Sequence, residues 1–389
     1  MKSTILVLTF TTLLFSVFQL NALERSIIIP EFIRLPQDSV VADKLLNSLE
    51  SFLKQKEAPN NSNTLVNQDY LLETSLLLDE IKGIEKSSKY KDDNFYKCYL
   101  SSLVKLNEKQ YIVQFSYLGI RESNPLLKAT ISLIATEVGN EFHFHSPLKF
   151  NTSAWSKAEK GLMTIFHKPS FDLSIAKDYV DYTNKYDRIL GVEEKPTILY
   201  CASNFNEVLK LVGVDYKSDY SGVNYNTTMA VERDTTLIVN GLLASEVIKF
   251  DPHDHWHSRL RAVLAPNDTY KPIDEGCAFL FGGSWGYSWE DIKRRFSDYV
   301  KNNNNPDWLK LYEDRLDIGD EQYKPLNMDY IINAFIVKEL YKDGDFTKVM
   351  KLLSIGRNQT NEKYFEVLEE TMGINRKNFN EEVGKLVKN

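Results

Sequence analysis

The sequence predicts an α+β protein in two parts: a small N-terminal domain of helices and antiparallel strands, then a mixed domain that turns helical toward the C-terminus. Three observations lead there. Apolar residues repeat at three- and four-residue steps through Val41, Leu45, Leu46, Leu49 and Leu53, which marks a helix with one buried face. The period drops to two between Phe95 and Ser146, as in half-buried strands. Helical spacing returns beyond Ser245 and persists to the end. A chain of 389 residues also exceeds what one ordinary core covers, and suits two domains.

The first residues are set apart from this pattern. Met1-Lys2 is a short basic start, Ile5 to Leu20 is almost wholly apolar, and Asn21-Ala22 offers a small residue for cleavage. That is the shape of a secretory signal peptide over residues 1–22. It predicts a secreted or periplasmic protein with no membrane span retained after cleavage. A net charge of -7 argues against nucleic acid as a partner. Three cysteines, Cys98, Cys201 and Cys277, make no disulfide framework and leave room for one bridge.

In residues 23–160 the helical pattern of Ser39 to Tyr90 is broken by the polar loop Ala58 to Asn63. Strands are expected over Phe95 to Leu106 and Gln110 to Gly119 around the turn Asn107-Glu108-Lys109. Two more are expected over Ala129 to Val138 and Glu141 to Ser146 around Gly139-Asn140. Helices followed by a meander make a small α+β domain of the cystatin or nuclear-transport-factor kind. A boundary is expected near residues 150–165, opening a second domain over 161–389. There Phe171 to Leu190 reads as a helix, Lys195 to Cys201 as a buried strand and Asn204 to Val212 as a helix. Thr227 to Val231 and Thr235 to Val239 read as a hairpin.

The chemistry concentrates just after that hairpin. Of six histidines, three stand at His253, His255 and His257. Asp251-Pro252 before them is a helix start, since Asp caps free amides and Pro fits the first turn. On that helix His253 and His257 lie one above the other. Asp254 lies about 100° round from His253 and faces the same space, while His255 falls on the other side, as a surface or supporting residue. Trp256, Leu260, Val263 and Leu264 supply the apolar stripe. A zinc site needs a third protein ligand, and Glu275 is the candidate, although the same residue also reads as an ordinary helix-start carboxylate. It lies on a second short helix expected to be capped by Asp274 and stopped by Gly282-Gly283, with Gly276 and Ala278 small enough for close helix approach. A rival H-x-H-x-H strand site would need a further histidine downstream, and none follows His257.

The pattern His253-Asp254-His255-Trp256-His257, then Glu275-Gly276-Cys277-Ala278, resembles the HExxH…EG-x-A signature of gluzincin zinc metallopeptidases, in particular the peptidase-MA-like group. The resemblance covers roughly residues 165–389. It implies a zincin-like domain, Zn2+ held by His253, His257 and Glu275, and hydrolysis of a peptide or protein substrate by zinc-activated water. The helix led by Tyr330 is similar to one in the aminopeptidase branch, where the tyrosine stabilises an oxyanion. The family's catalytic glutamate is Asp254 here. Its carboxylate keeps the charge but is drawn back by about 1 Å, a shift that can cost on the order of a hundredfold in rate. That substitution leaves open two readings, a metallopeptidase and a pseudopeptidase that binds a peptide or partner. Metal binding does not depend on Asp254, which is not a ligand.

Overall fold

The computed structural model describes residues 26–223, 225–246, 249–303, 306–319 and 324–388. The expected signal peptide, residues 1–22, lies outside the described residues. In chain order the elements begin with β1 (Ile27–Ile28), α1 (Ser39–Lys54), α2 (Leu71–Ile81), β2 (Lys97–Lys105), β3 (Gln110–Arg121), β4 (Asn124–Val138) and β5 (Glu141–His145). Then come α3 (Leu148–Asn151), β6 (Ser156–Lys160), β7 (Met163–His167), α4 (Leu173–Leu190), β8 (Thr197–Cys201), α5 (Phe205–Val212), β9 (Val214–Lys217), β10 (Thr227–Glu232) and β11 (Thr235–Asn240). The rest is helical: α6 (Pro252–Leu260), α7 (Lys271–Gly282), α8 (Trp289–Asn302), α9 (Trp308–Glu313), α10 (Met328–Leu340), α11 (Thr347–Leu353), α12 (Asn361–Met372) and α13 (Phe379–Leu386).

The protein is α+β, and it divides into two compact units that interleave in sequence. One comprises the chain up to Asp69, Leu78–His145 and Val214–Asp219; the other comprises Tyr70–Leu77, Ser146–Gly213 and the chain from Tyr220 onward. Among the described residues the first unit holds a six-stranded sheet in the order β1-β2-β3-β4-β5, with β9 against β4. Asp38 caps α1 by accepting the N–H groups of Val40 and Val41. The helix then buries Leu45, Leu49 and Phe52. Phe52 meets Phe144 of β5 with ring centroids 5.0 Å apart, and Ser48 accepts the Phe142 N–H at 3.0 Å.

Two parts of the fold carry no long pattern in the sequence. Strand β9 has four residues, too few to show alternation, and joins β4 where Asp215 accepts from Ser132 and Gln114 at 2.5 and 2.9 Å. The β6–β7 hairpin, turning at Gly161 with φ 58°, falls inside the stretch 150–165 that reads as a boundary in the sequence.

Among its described residues the second unit has a five-stranded sheet in the order β10-β11-β8-β7-β6. β11, β8 and β7 run parallel, while the edge strands β10 and β6 are antiparallel to their neighbours. Helix α4, capped by Asp172 and ended by Gly191 at φ 68°, packs Ala176, Tyr179 and Val180 on Ile165, Leu199 and Ile238 of that sheet. The helices beyond β11 close around a separate core that includes Trp256, Ile273, Cys277, Phe296, Ile331 and Tyr364. The three cysteines are buried free thiols, so the bridge that the count permits is not formed. No helix among the described residues is long and apolar enough to cross a membrane.

Candidate metal centre

Helix α6 starts as its first residues dictate. Asp251 accepts the His253 N–H at 2.9 Å, and Pro252 occupies the first turn. One side of the helix is buried through Trp256 and Leu260. Trp256 stands edge-on to Tyr186 at 5.3 Å and tilted on Phe281 at 5.1 Å. His255 joins that buried side rather than the surface. It is 8% exposed and donates from Nε2 to the Thr183 hydroxyl at 2.8 Å, whose own proton goes to the Tyr179 carbonyl. Burial, with Arg259 nearby, pushes its pKa down to about 3. Val263 and Leu264 fall beyond the end of the helix, and Val263 is exposed.

The other side presents His253 and His257 to α7. The close approach of α6 and α7 is made at Gly282, where any Cβ would stand 2.7 Å from the His253 nitrogen and the Pro252 carbonyl carbon. Gly276, expected from the sequence at that contact, instead meets Asn333 and Ala334 of α10. Helix α7 also begins earlier than expected. Lys271-Pro272 forms its first turn with no side-chain cap, so Glu275 is the fifth helical residue and Asp274 is released from capping. Asp274 accepts from His257 Nδ1 at 2.9 Å and from Trp256 Nε1 at 3.1 Å.

His253, His257 and Glu275 converge. His253 Nε2 and His257 Nε2 are 3.2 Å apart. Glu275 Oε2 is 3.3 Å from the first and 3.9 Å from the second. Ligands about 2.0–2.1 Å from one tetrahedral ion stand roughly 3.3 Å from one another, so the spacing fits a single small cation. The tautomers agree. His253 Nδ1 donates to the Gly283 carbonyl at 2.7 Å and His257 Nδ1 donates to Asp274. In the neutral rings both Nε2 atoms therefore turn lone pairs to the same point, beside a carboxylate oxygen. This cluster can hold a metal ion, with each imidazole oriented by an outer partner, as metal-binding histidines are.

The members of the cluster also shift one another's protonation. Burial opposes a charge on His253, yet the Glu275 carboxylate and the Gly283 carbonyl hold its pKa above the usual value. Burial also opposes a charge on Glu275, but His253 and His257 keep it below the ordinary carboxylate range.

Asp254 and Tyr330 border the same cleft of about 310 Å³, together with Trp285 and Phe279. Asp254 is exposed at the rim and also borders a second cleft of about 650 Å³ beside Thr227 and Met229 of β10. Tyr330, on α10, is 6% exposed and accepts a hydrogen bond from Arg315 Nη2 at 2.6 Å. Burial, reinforced by Glu275 and opposed by Arg315, pushes its hydroxyl up to about 12. His253, Asp254, Glu275 and Tyr330 line this cleft, while His257 joins them through the His253–His257–Glu275 cluster and borders a neighbouring cleft with Glu275. Asp274 and Gly283, which the sequence marks only as a helix cap and a helix stop, serve as outer partners of His257 and His253. Arg315, which bonds Tyr330, and Trp285, a wall of the cleft, carry no signal in the sequence.

No protein-family model matches this chain, and no curated protein matches it.

Proposed function

We propose that this protein is an exported zinc metallopeptidase-like hydrolase of the gluzincin kind. The observation that carries the reading is the convergence of His253 Nε2, His257 Nε2 and Glu275 Oε2 within 4.8 Å of one another, with both histidines oriented from behind. Two imidazole nitrogens and one carboxylate oxygen are the donor set of a catalytic zinc site with room for a water. When bound, zinc supplies a Lewis acid that lowers the pKa of water and polarises a carbonyl.

The remaining roles fall to residues of the cleft. Asp254 is the general base, its exposed carboxylate taking the proton of the attacking water. The Tyr330 oxygen accepts from Arg315, so its own proton is directed elsewhere, toward the negative charge that develops on the substrate oxygen. Among the described residues strand β10 is an edge of its sheet, the kind of position where an extended peptide can add as a further strand. Purified protein should carry about one zinc per chain, and His257→Ala should lose it. Full zinc occupancy in His257→Ala would rule the assignment out.

The shorter side chain of Asp254 favours a second reading, a pseudopeptidase that uses the same cleft to bind a peptide or partner. A peptide library presented to the wild type and to Asp254→Glu separates the two. Cleavage by the wild type supports an enzyme; cleavage by Asp254→Glu alone supports a binding role.

A further inference from the structure

The turn after α7 runs against the preferences of its own residues. Ser284 and Tyr287 exchange backbone hydrogen bonds of 2.9 and 2.8 Å, closing a two-residue hairpin. Its central residues, Trp285 and Gly286, have φ of 53° and 83°. Two consecutive positive values make a type I′ turn, for which Asn-Gly is the ordinary pair. Gly286 adopts this conformation freely. Trp285 does not, because its Cβ crowds the backbone carbonyl there. Trp285 is also 50% exposed. A large aromatic residue held in a left-handed conformation and half in water serves folding poorly, and such outliers persist where function retains them.

One hydrogen bond anchors the ring, and its position puts it at the candidate site. Its Nε1–H donates to the Pro325 carbonyl at 3.2 Å, and the side chain borders the cleft that also contains His253, Glu275 and Tyr330. The turn follows directly on Gly283, whose carbonyl accepts from His253 Nδ1. One short segment therefore orients a metal-site histidine and carries the ring. An indole anchored by its N–H offers a face that needs little further ordering when a ligand arrives.

We infer that Trp285 determines specificity: its exposed face receives a large apolar or aromatic side chain of a peptide whose carbonyl lies at the metal centre. The inference rests on the metallopeptidase reading above. Phe279 and Pro325 add apolar wall to the same cleft. A small side chain leaves the indole in water, so discrimination follows from the apolar area covered. Stacking geometry adds to it when the incoming group is a ring.

The test uses the full chain loaded with zinc and two probes, phenylalanine hydroxamate and alanine hydroxamate. Both chelate zinc through the same group and differ only in the side chain, so no turnover is required. The wild type should bind the phenylalanine compound more tightly by on the order of tenfold. Trp285→Asn suits the type I′ turn; it should keep one zinc per chain and an undiminished Tm, and bring the ratio to within about twofold. Trp285→Phe should retain most of the preference. A ratio unchanged in Trp285→Asn overturns the inference. So does loss of zinc or of thermal stability in that variant, because either outcome assigns Trp285 to the scaffold. Zinc uptake by a wild type that prefers neither probe defeats this inference alone. A wild type that takes up no zinc defeats the metal reading, and this inference with it.

Discussion

His257 donates from Nδ1 to Asp274 across 2.9 Å, and Asp274 is the residue immediately before Glu275 on α7. One helix therefore supplies both a candidate ligand and the group that aims another. Asp274→Ala should weaken zinc binding by about 10–100-fold while leaving the three donor residues in the chain. Competition with a chelator of known affinity measures this. An affinity equal to the wild type's would show that Asp274 does not orient His257.

Gly282 sets the distance between α6 and α7. In Gly282→Ala the new Cβ meets backbone atoms 2.7 Å away, which cannot rotate aside. The expected result is a stability loss of about 1–3 kcal/mol from overpacking, together with weaker zinc binding as His253 moves from Glu275. Denaturant titration and metal analysis check the two effects. Wild-type values in both would mean that the helices separate without consequence.

Tyr330 keeps its hydroxyl on Arg315 at 2.6 Å. If hydrolysis is observed, Tyr330→Phe should lower kcat by on the order of a hundredfold, the usual effect of removing one donor to a developing oxyanion, with KM little changed. Arg315→Met should lower kcat by a smaller factor, since the hydroxyl remains. A kcat unaffected by Tyr330→Phe would remove the tyrosine from catalysis.

Asp329 gives the pH dependence a sign. Burial outweighs its partner Arg315, 3.0 Å away, and raises the carboxyl from 3.8 to about 6. Between those values the unfolded chain has lost this proton while the folded one retains it. Raising the pH through that window therefore removes stability, by roughly 3 kcal/mol in all at 1.36 kcal/mol per unit. Relative to Asp329→Asn, the wild type should lose Tm from about pH 4 to about pH 7. A difference that stays flat over this range, or that grows in favour of the wild type, contradicts the assignment.

Much of the architecture was legible because its signals are local. The helical steps of Val41 to Leu53, the alternation within each of β2 to β5 and the Asp251-Pro252 start each involve residues close together along the chain. The same holds for His253 and His257, whose spacing is one turn of a single helix. Glu275 was reachable through its Glu-Gly-x-Ala context. β9 and the β6–β7 hairpin were not legible: β9 has only four residues, and β6, whose single apolar residue is Ala158, has no apolar face to mark it as a strand.

By itself, then, the sequence determined the α+β class, the helix that pairs two imidazoles, and the acid that follows them. Tertiary structure alone decided that Asp274 turns to His257 instead of capping α7, that His255 is buried, that Gly282 rather than Gly276 admits α6, and that Trp285 borders the cleft of the candidate metal centre. The physical reason is the range of the interactions. Periodicity and capping are settled among neighbours along the chain, whereas a side chain's partner across two helices depends on the register in which those helices pack.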